Sequence, residues 1–263
     1  MDDLERIDAF VRWTEDVTSS RTEPFRWGTA LFHDAFPMRY DSNFLRLERS
    51  LGEATVAEVV AEADRLLAGF AHREIVAPDL GEADRIAAGM VEHGYEVERL
   101  VLMAHRGEVP DEPPDVEVRE LDLAEVHPLH AEIARRFDGS SEEVAGSLAD
   151  FAHVLVERLG ARFFGATVDG TPVGSCELYV REGVAQVEGV GTLEEHRGRG
   201  LARAFVSRAI REAYAAGAEL VFLMADDDDW PKTFYGRLGF EAVGGFRQFN
   251  RFPSSSGGST VAG

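Results

Sequence analysis

The sequence predicts a mixed α/β fold, and three observations carry that expectation. Short runs rich in β-branched residues alternate with longer segments whose apolar residues recur at helical spacing. Glycine-bearing turns stand between them, most clearly in Glu195-His196-Arg197-Gly198-Arg199-Gly200-Leu201-Ala202. No run approaches the ~18 apolar residues that a membrane span requires.

Each element has a local reason. Phe44–Leu47 reads as a strand and Thr55–Ala68 as a helix with an apolar face of Val56, Val59, Val60, Ala63, Leu66 and Leu67. A strand at Arg73–Ala77, a helix at Glu82–Glu92 and an apolar strand near Val101-Leu102-Met103 follow. Gly107–Asp115 is dense in proline and acid and reads as a linker. Beyond it come a strand at Val116–Leu121 and helices at Ala124–Phe137 and Ser141–Leu159. Strands at Arg162–Val168 and Val173–Val180 are joined by Asp169-Gly170-Thr171-Pro172, a hairpin signal. Val184–Thr192 is a further strand, and Leu201, Phe205, Val206, Ala209, Ile210, Ala213 and Tyr214 form one helical stripe. Glu219–Ala225 is strand-like, Asp229-Trp230-Pro231 suits a helix start, and the serine- and glycine-rich tail has nothing to bury.

Composition narrows the class. The chain carries 27 basic residues against 48 acidic ones, which disfavours nucleic acid as a partner. Lys232 is its single lysine, so almost all positive charge is arginine, a bias fitting a GC-rich coding sequence or adaptation to salt. A lone Cys176 excludes an internal disulfide and a cysteine-based zinc cluster, and a buried inert thiol is the favoured reading for it. The acidic start Met1-Asp2-Asp3-Leu4-Glu5 lacks the features of a signal peptide. The expectation is a cytoplasmic protein, monomeric or homodimeric, without metal, membrane or nucleic-acid partners.

The turn at 195–202 carries chemistry. Its glycines permit a sharp backbone turn, and the first turn of the helix offers unpaired N–H groups and a positive dipole end. Arg197 and Arg199 add fork-shaped cationic donors, so the turn suits a pyrophosphate. The spacing fails the Gly-x-Gly-x-x-Gly dinucleotide fingerprint and lacks the ending of a P-loop. The Arg197-x-x-Gly200-x-Ala202 pattern instead resembles the acetyl-CoA signature of the GCN5-related N-acetyltransferase (GNAT) family. A second match follows at Phe234-Tyr235-Gly236-Arg237-Leu238-Gly239-Phe240-Glu241, after another strand.

The resemblance implies a central mixed, mostly antiparallel sheet flanked by helices, and acetyl transfer from acetyl-CoA to an amine by direct attack. By resemblance, main-chain groups of Val190, Gly191 and Thr192 would pair with the pantetheine arm. The amides of Gly198, Arg199, Gly200, Leu201 and Ala202, with the Arg197 side chain, would take the pyrophosphate. A Cβ on Gly200 would crowd the phosphate oxygens. Tyr235 is the candidate acid for the leaving thiolate, and Glu188 the candidate base, with Glu177 the other choice. Asp227, Asp228 and Asp229 stand where the family often has an asparagine, which leaves that contact unassigned. His153, among apolar neighbours, reads as a core-edge residue. The acceptor is a small-molecule or peptide amine, and the acidic surface favours a cationic one. A non-catalytic acyl-CoA-binding sensor or interaction module is the alternative.

The N-terminal part echoes the C-terminal part. Strand, helix and His93-Gly94-Tyr95-Glu96-Val97 parallel the strand, helix and Leu238-Gly239-Phe240-Glu241-Ala242. The equivalent of the phosphate turn is Glu48-Arg49-Ser50-Leu51-Gly52-Glu53, without the basic pattern, and the tyrosine position falls on Met90. The expected organisation is a degenerate GNAT-like region over 1–106, a linker over 107–115, a catalytic domain over 116–250 and a disordered tail over 251–263. The degenerate region should hold no CoA and should dock on its neighbour.

Overall fold

A computed structural model describes residues 1–113, 115–137, 141–228 and 230–253. The chain opens with helix α1 (Asp3–Thr18), then a hairpin of β1 (Arg21–Phe25) and β2 (Gly28–Phe32). Periodicity gave no forewarning of these three elements. Then come β3 (Phe44–Leu47), α2 (Val56–Leu66), β4 (Arg73–Ala77), α3 (Leu80–Glu92) and β5 (Glu96–His105), in the order expected. They are followed by β6 (Glu117–Leu121), α4 (Leu123–Phe137), α5 (Glu142–Leu159), β7 (Arg162–Val168), β8 (Thr171–Arg181) and β9 (Val184–Thr192). The last elements are α6 (Leu201–Ala215), β10 (Leu220–Asp226), α7 (Trp230–Gly236) and β11 (Phe240–Arg251).

Local chemistry sets the boundaries. Ser141 caps α5 by accepting from the Val144 amide at 3.3 Å, and Gly160 ends that helix in the left-handed region. Thr55 and Glu58 form a reciprocal capping box on α2. Asp169 and Gly170, with φ of 51° and 78°, make the turn between β7 and β8 that their dipeptide predicts. The expected cap at Asp229 and the tail over 254–263 lie outside the described residues.

The chain divides into two compact units, and neither is a continuous half of the sequence. Unit 1 comprises 1–18 and 101–244; unit 2 comprises 19–100 and 245–263. These limits differ from the expected 1–106 and 116–250. The first reason is α1, which packs against α5 and β9 of unit 1, with Phe10 edge-on to Phe222 at 5.5 Å. The second is a strand exchange. In unit 2, β4 takes as its antiparallel neighbour the end of β11, pairing Ala77 with Arg247 and Arg73 with Arg251. In unit 1, β10 takes β5 as its neighbour, and Val101 and Met103 of that strand enter the unit 1 core. Each unit therefore completes its sheet with residues from the other part of the sequence.

The segment expected as a linker is tied down within unit 1. Both Arg106 and Gly107 donate their amides to the carbonyl of Gly239, and Arg211 pairs with Glu112. Arg251, expected at the start of the tail, instead closes β11.

Unit 2 repeats part of the topology of unit 1. In it β3 pairs with β4 in parallel, as β9 pairs with β10 in unit 1, each with a helix between. Its own core gathers Phe32, Leu45, Val59, Ala63, Leu67, Ile75, Ile86, Met90 and Phe249. The unit 1 core gathers Phe164, Cys176, Val187, Phe205, Ile210, Val221, Leu223 and Tyr235 around α6. Each large side chain so buried contributes roughly 1.5–3 kcal/mol.

Candidate active site

Strands β9 and β10 part company. Their parallel pairing covers Val184 with Leu220, Ala185 with Val221 and Gln186 with Phe222, and no pair follows. Yet β9 runs on to Thr192 and β10 to Asp226. On its other side β9 stays joined to β8, pairing Glu188 with Glu177, Gly191 with Ser175 and Thr192 with Gly174. The stretch from Glu188 to Thr192 thus presents one main-chain edge without a ladder partner in β10. The contrast in unit 2 is plain, because β3 stops at Leu47, one residue after its last pair with β4.

A bulge sharpens this divergence. Between the pairs Glu177–Glu188 and Ser175–Gly191, β9 spends one more residue than β8. Gly189 sits there at φ 58°, a conformation that costs an L residue strain. A Cβ on it would also fall 2.8 Å from Cδ of Glu177. The bulge shifts the side-chain alternation by one. Val190 therefore packs toward the apolar core, while Gly191 lies under Ile133 of α4, where a Cβ would meet Cδ1 at 3.1 Å.

The expected phosphate turn follows the strand. Gly198 and Gly200 have φ of 72° and 77°, and Gly200 is the residue before α6. Nothing lies within 4 Å of a Cβ built on either, so in the ligand-free chain backbone conformation, rather than crowding, requires glycine. The first turn of α6 has no side-chain cap and no acidic residue. Arg197 donates from Nε to the carbonyl of Thr192 at 3.2 Å, which ties the turn to the end of β9. Arg199 approaches Nδ1 of His196 at 3.0 Å. Arg203, exposed on the first turn of α6, escaped the sequence reading; neither it nor Arg197 nor Arg199 is paired with a carboxylate among the described residues. In a chain of such acidic balance, uncapped amides beside three such arginines fit a polyanion.

The corresponding turn of unit 2 has the opposite chemistry. Thr55 accepts from the Glu58 amide at 3.3 Å, and the Glu58 carboxylate returns to the Thr55 amide at 2.8 Å. Ser50 donates to Glu82 at 2.5 Å. The amides of α2 are thus partly satisfied from within, and acid stands where phosphate would lie.

Tyr235 of α7 is buried, edge-on to Phe240 at 6.1 Å. Burial pushes its phenol above the ordinary range, and the negative charge of Glu188 pushes the same way. Tyr235 and Glu188 therefore share one electrostatic neighbourhood, although 47 positions separate them in the sequence. Glu188 is half-buried and accepts from Nε2 of Gln186 at 2.7 Å. Glu177 is buried and accepts from the Tyr179 hydroxyl. Ser175, fully buried on the same face, is 3.2 Å from Nε2 of His130 of α4. Tyr179, Gln186 and His130 were not among the expected site residues. The signal for the first two is alternation: residues 175, 177 and 179 of β8 and 186 and 188 of β9 share a face.

Other expected residues stand apart from this group. Asp227 pairs with Lys232, and the Asp228 amide donates to Asp226 at 2.8 Å. Cys176 is fully buried, and burial pushes its thiol well above the ordinary range, as an inert thiol requires. His153 is exposed rather than at the core edge, because the buried stripe of α5 runs through Ala145, Ala149, Ala152, Leu155 and Leu159. No helix among the described residues is long and apolar enough to cross a membrane.

Comparison with known proteins bears on the fold that carries this site. The chain is similar to a GCN5-related N-acetyltransferase from Kribbella flavida, at 23% identity and a TM-score of 0.63, over 98% of this chain and 97% of that one. A functionally unknown conserved protein from Staphylococcus epidermidis matches at 17% identity and a TM-score of 0.65, over 90% and 95% of the two chains. A tandem GNAT protein from the clavulanic acid biosynthesis pathway matches at 17% identity and a TM-score of 0.55, over 81% and 76%. At these identities the likeness carries the fold. The sequence itself matches the model of the acetyltransferase (GNAT) family over residues 124–240, which takes in the splayed strands, the basic turn and Tyr235. Residues 124–240 thus match the model of the acetyltransferase (GNAT) family, and the mixed sheet shares its fold with a GCN5-related N-acetyltransferase.

Proposed function

We propose that the chain transfers an acetyl group from acetyl-CoA to a primary amine of a small molecule or peptide, by direct attack and without a covalent enzyme intermediate. The observation that carries this reading is the parting of β9 from β10 beyond Gln186 and Phe222, with Tyr235 and Glu188 in one neighbourhood beside it. The unpaired edge of Val190, Gly191 and Thr192 would hold the pantetheine arm. The amides of Gly198 to Ala202, with Arg197 and Arg199, would hold the pyrophosphate. In unit 1 alone is the helix start after the parallel strand left uncapped, so the cofactor belongs there and unit 2 is the degenerate relative.

The chemistry needs a free amine and a stabilised thiolate. Glu188 accepts a proton from the bound ammonium, and the amine lone pair then attacks the thioester carbonyl. As the carbon–sulfur bond breaks, the Tyr235 hydroxyl donates its proton to the departing sulfur, and the second proton that the nitrogen sheds as the amide forms returns the phenolate to a phenol. A raised phenol pKa keeps that proton in place at neutral pH, so the group acts as donor rather than base.

A screen of amine acceptors read by release of free CoA thiol tests the reading. Saturable thiol release with at least one amine is expected. Tight acetyl-CoA binding with no release on any acceptor class would favour a sensor instead. The absence of a membrane-crossing helix among the described residues is compatible with a cytoplasmic enzyme, which cell fractionation would check.

A further inference from the structure

Glu177 and Glu188 stand directly opposite each other on neighbouring antiparallel strands, with their side chains on the same face. Like charges in that relationship repel, and burial increases the cost. Around Glu177 no arginine, lysine or histidine hydrogen bond or ion pair is found among the described residues. Glu177 is 8% exposed, and it accepts a hydrogen bond at Oε2 from the neutral Tyr179 hydroxyl. Its other oxygen, Oε1, lies over the Gly189 bulge, within 2.9 Å of where a Cβ would stand.

Gln186 supplies an independent observation. It is 2% exposed and is the cross-strand partner of Tyr179. Its amide orientation is fixed, because Nε2 must donate to Glu188 at 2.7 Å. Oε1 is therefore the end left over, and it is a buried acceptor with no donor among the described residues. Buried acceptors without donors are rare in folded chains and mark a place where a donor is missing. One face of β8 and β9 thus gathers two carboxylates and an orphaned amide oxygen, all acceptors. A primary ammonium has the matching chemistry, with one positive charge and three N–H donors.

We infer that Glu177 and Gln186, together with Glu188, form an ammonium-selecting site that restricts the acceptor to charged, unhindered primary alkylamines. This rests on the acetyltransferase reading for its setting and refines it by dividing the labour. Glu188 takes the proton, while Glu177, steadied by Tyr179, holds and orients the nitrogen at the bulge. Glu177 is a specificity-determining residue, and Gln186 Oε1 gains its missing donor when the ammonium is seated.

The test uses the full chain saturated with CoA and three probes of similar reach: pentylamine, pentyltrimethylammonium and pentanol. Calorimetry should show pentylamine binding at neutral pH. The quaternary ion, charged but without N–H donors, should bind at least tenfold more weakly, and the alcohol should not bind measurably. Glu177→Gln should weaken pentylamine at least tenfold while leaving acetyl-CoA affinity within twofold. Gln186→Met should weaken it severalfold. With an active amine, Glu177→Gln should raise KM and keep the acidic limb of the pH profile that Glu188→Gln loses. Equal binding of the primary and quaternary ions by the parent chain would overturn the inference without any variant having to fold. So would the absence of pentylamine binding, or full affinity in a folded Glu177→Gln. Selective ammonium binding with no CoA release on any amine would instead sink the acetyltransferase reading and leave the ammonium site standing.

Discussion

Gly189 lies against the Glu177 carboxyl so closely that no side chain fits between them, a Cβ falling 2.8 Å from Cδ and 2.9 Å from Oε1. Gly189→Ala must therefore displace a buried carboxylate and also occupy φ near 58°. The expected cost is about 1–3 kcal/mol of stability. A melting curve should show it as a drop of several degrees, with amine KM rising and acetyl-CoA affinity largely kept. A variant with the parent's melting temperature and acceptor kinetics would show that the bulge does not position Glu177.

Gly200 precedes the uncapped first turn of α6 at φ 77°. Gly200→Val should weaken acetyl-CoA binding at least tenfold while the domain remains folded, as judged by circular dichroism. Arg203→Ala should weaken it severalfold, and the loss should shrink as salt screens the phosphates. Unchanged calorimetric affinity in Gly200→Val would remove the turn from the cofactor site.

Tyr235→Phe keeps the ring that packs on Phe240 and deletes only the hydroxyl. Turnover on a good amine should fall tenfold or more, with acetyl-CoA affinity little changed. If turnover stays within about twofold, Tyr235 is a packing residue and the thiolate is protonated from elsewhere.

In unit 2 the Tyr95 hydroxyl is buried without a hydrogen-bond partner among the described residues, and burial pushes the phenol up to about 12. The sign follows from linkage. A folded pKa above the unfolded value of about 10 means that stability is fully present below pH 10 and is lost as pH rises toward 12. Tyr95→Phe should therefore flatten the alkaline loss of stability. It should also raise stability modestly at neutral pH, because an unsatisfied buried group is removed while the Arg251 guanidinium keeps its place over the ring. Urea titrations of both proteins at pH 7 and pH 11 would decide it; parallel losses in the two would refute the account.

Thr55→Ala removes the cap of α2 and should cost about 1 kcal/mol. Acetyl-CoA affinity should not change. Any loss of affinity would mean that unit 2 takes part in cofactor binding.

Local signals wrote themselves clearly into the sequence, and non-local ones did not. β9 begins and ends at Val184 and Thr192 as its β-branched run predicts, and the Asp169-Gly170 turn joins the strands it should. The echo between the two parts was legible because a parallel strand, helix and strand leave the same periodicities twice. The bulge was not, since Gly189 reads as one more strand residue until the register of β8 shows otherwise. α1 also escaped notice, although Ile7 and Phe10 are buried, because acidic residues dilute its apolar stripe. The candidate site residues Tyr235 and the 197–202 turn came from motif; Tyr179 and Gln186 needed the pairing of two strands to become neighbours.

The exchange of strand ends has a consequence for how the chain is made. β4 gains its antiparallel neighbour only from residues 247–251. At ribosomal speeds of about 5–20 residues per second, the roughly 170 residues between them take on the order of ten to thirty seconds to emerge. Throughout that interval the edge of β4 stands open, a template for any passing strand. Arg73, at one end of the strand, is then a guard of a nascent chain before it is part of a finished one.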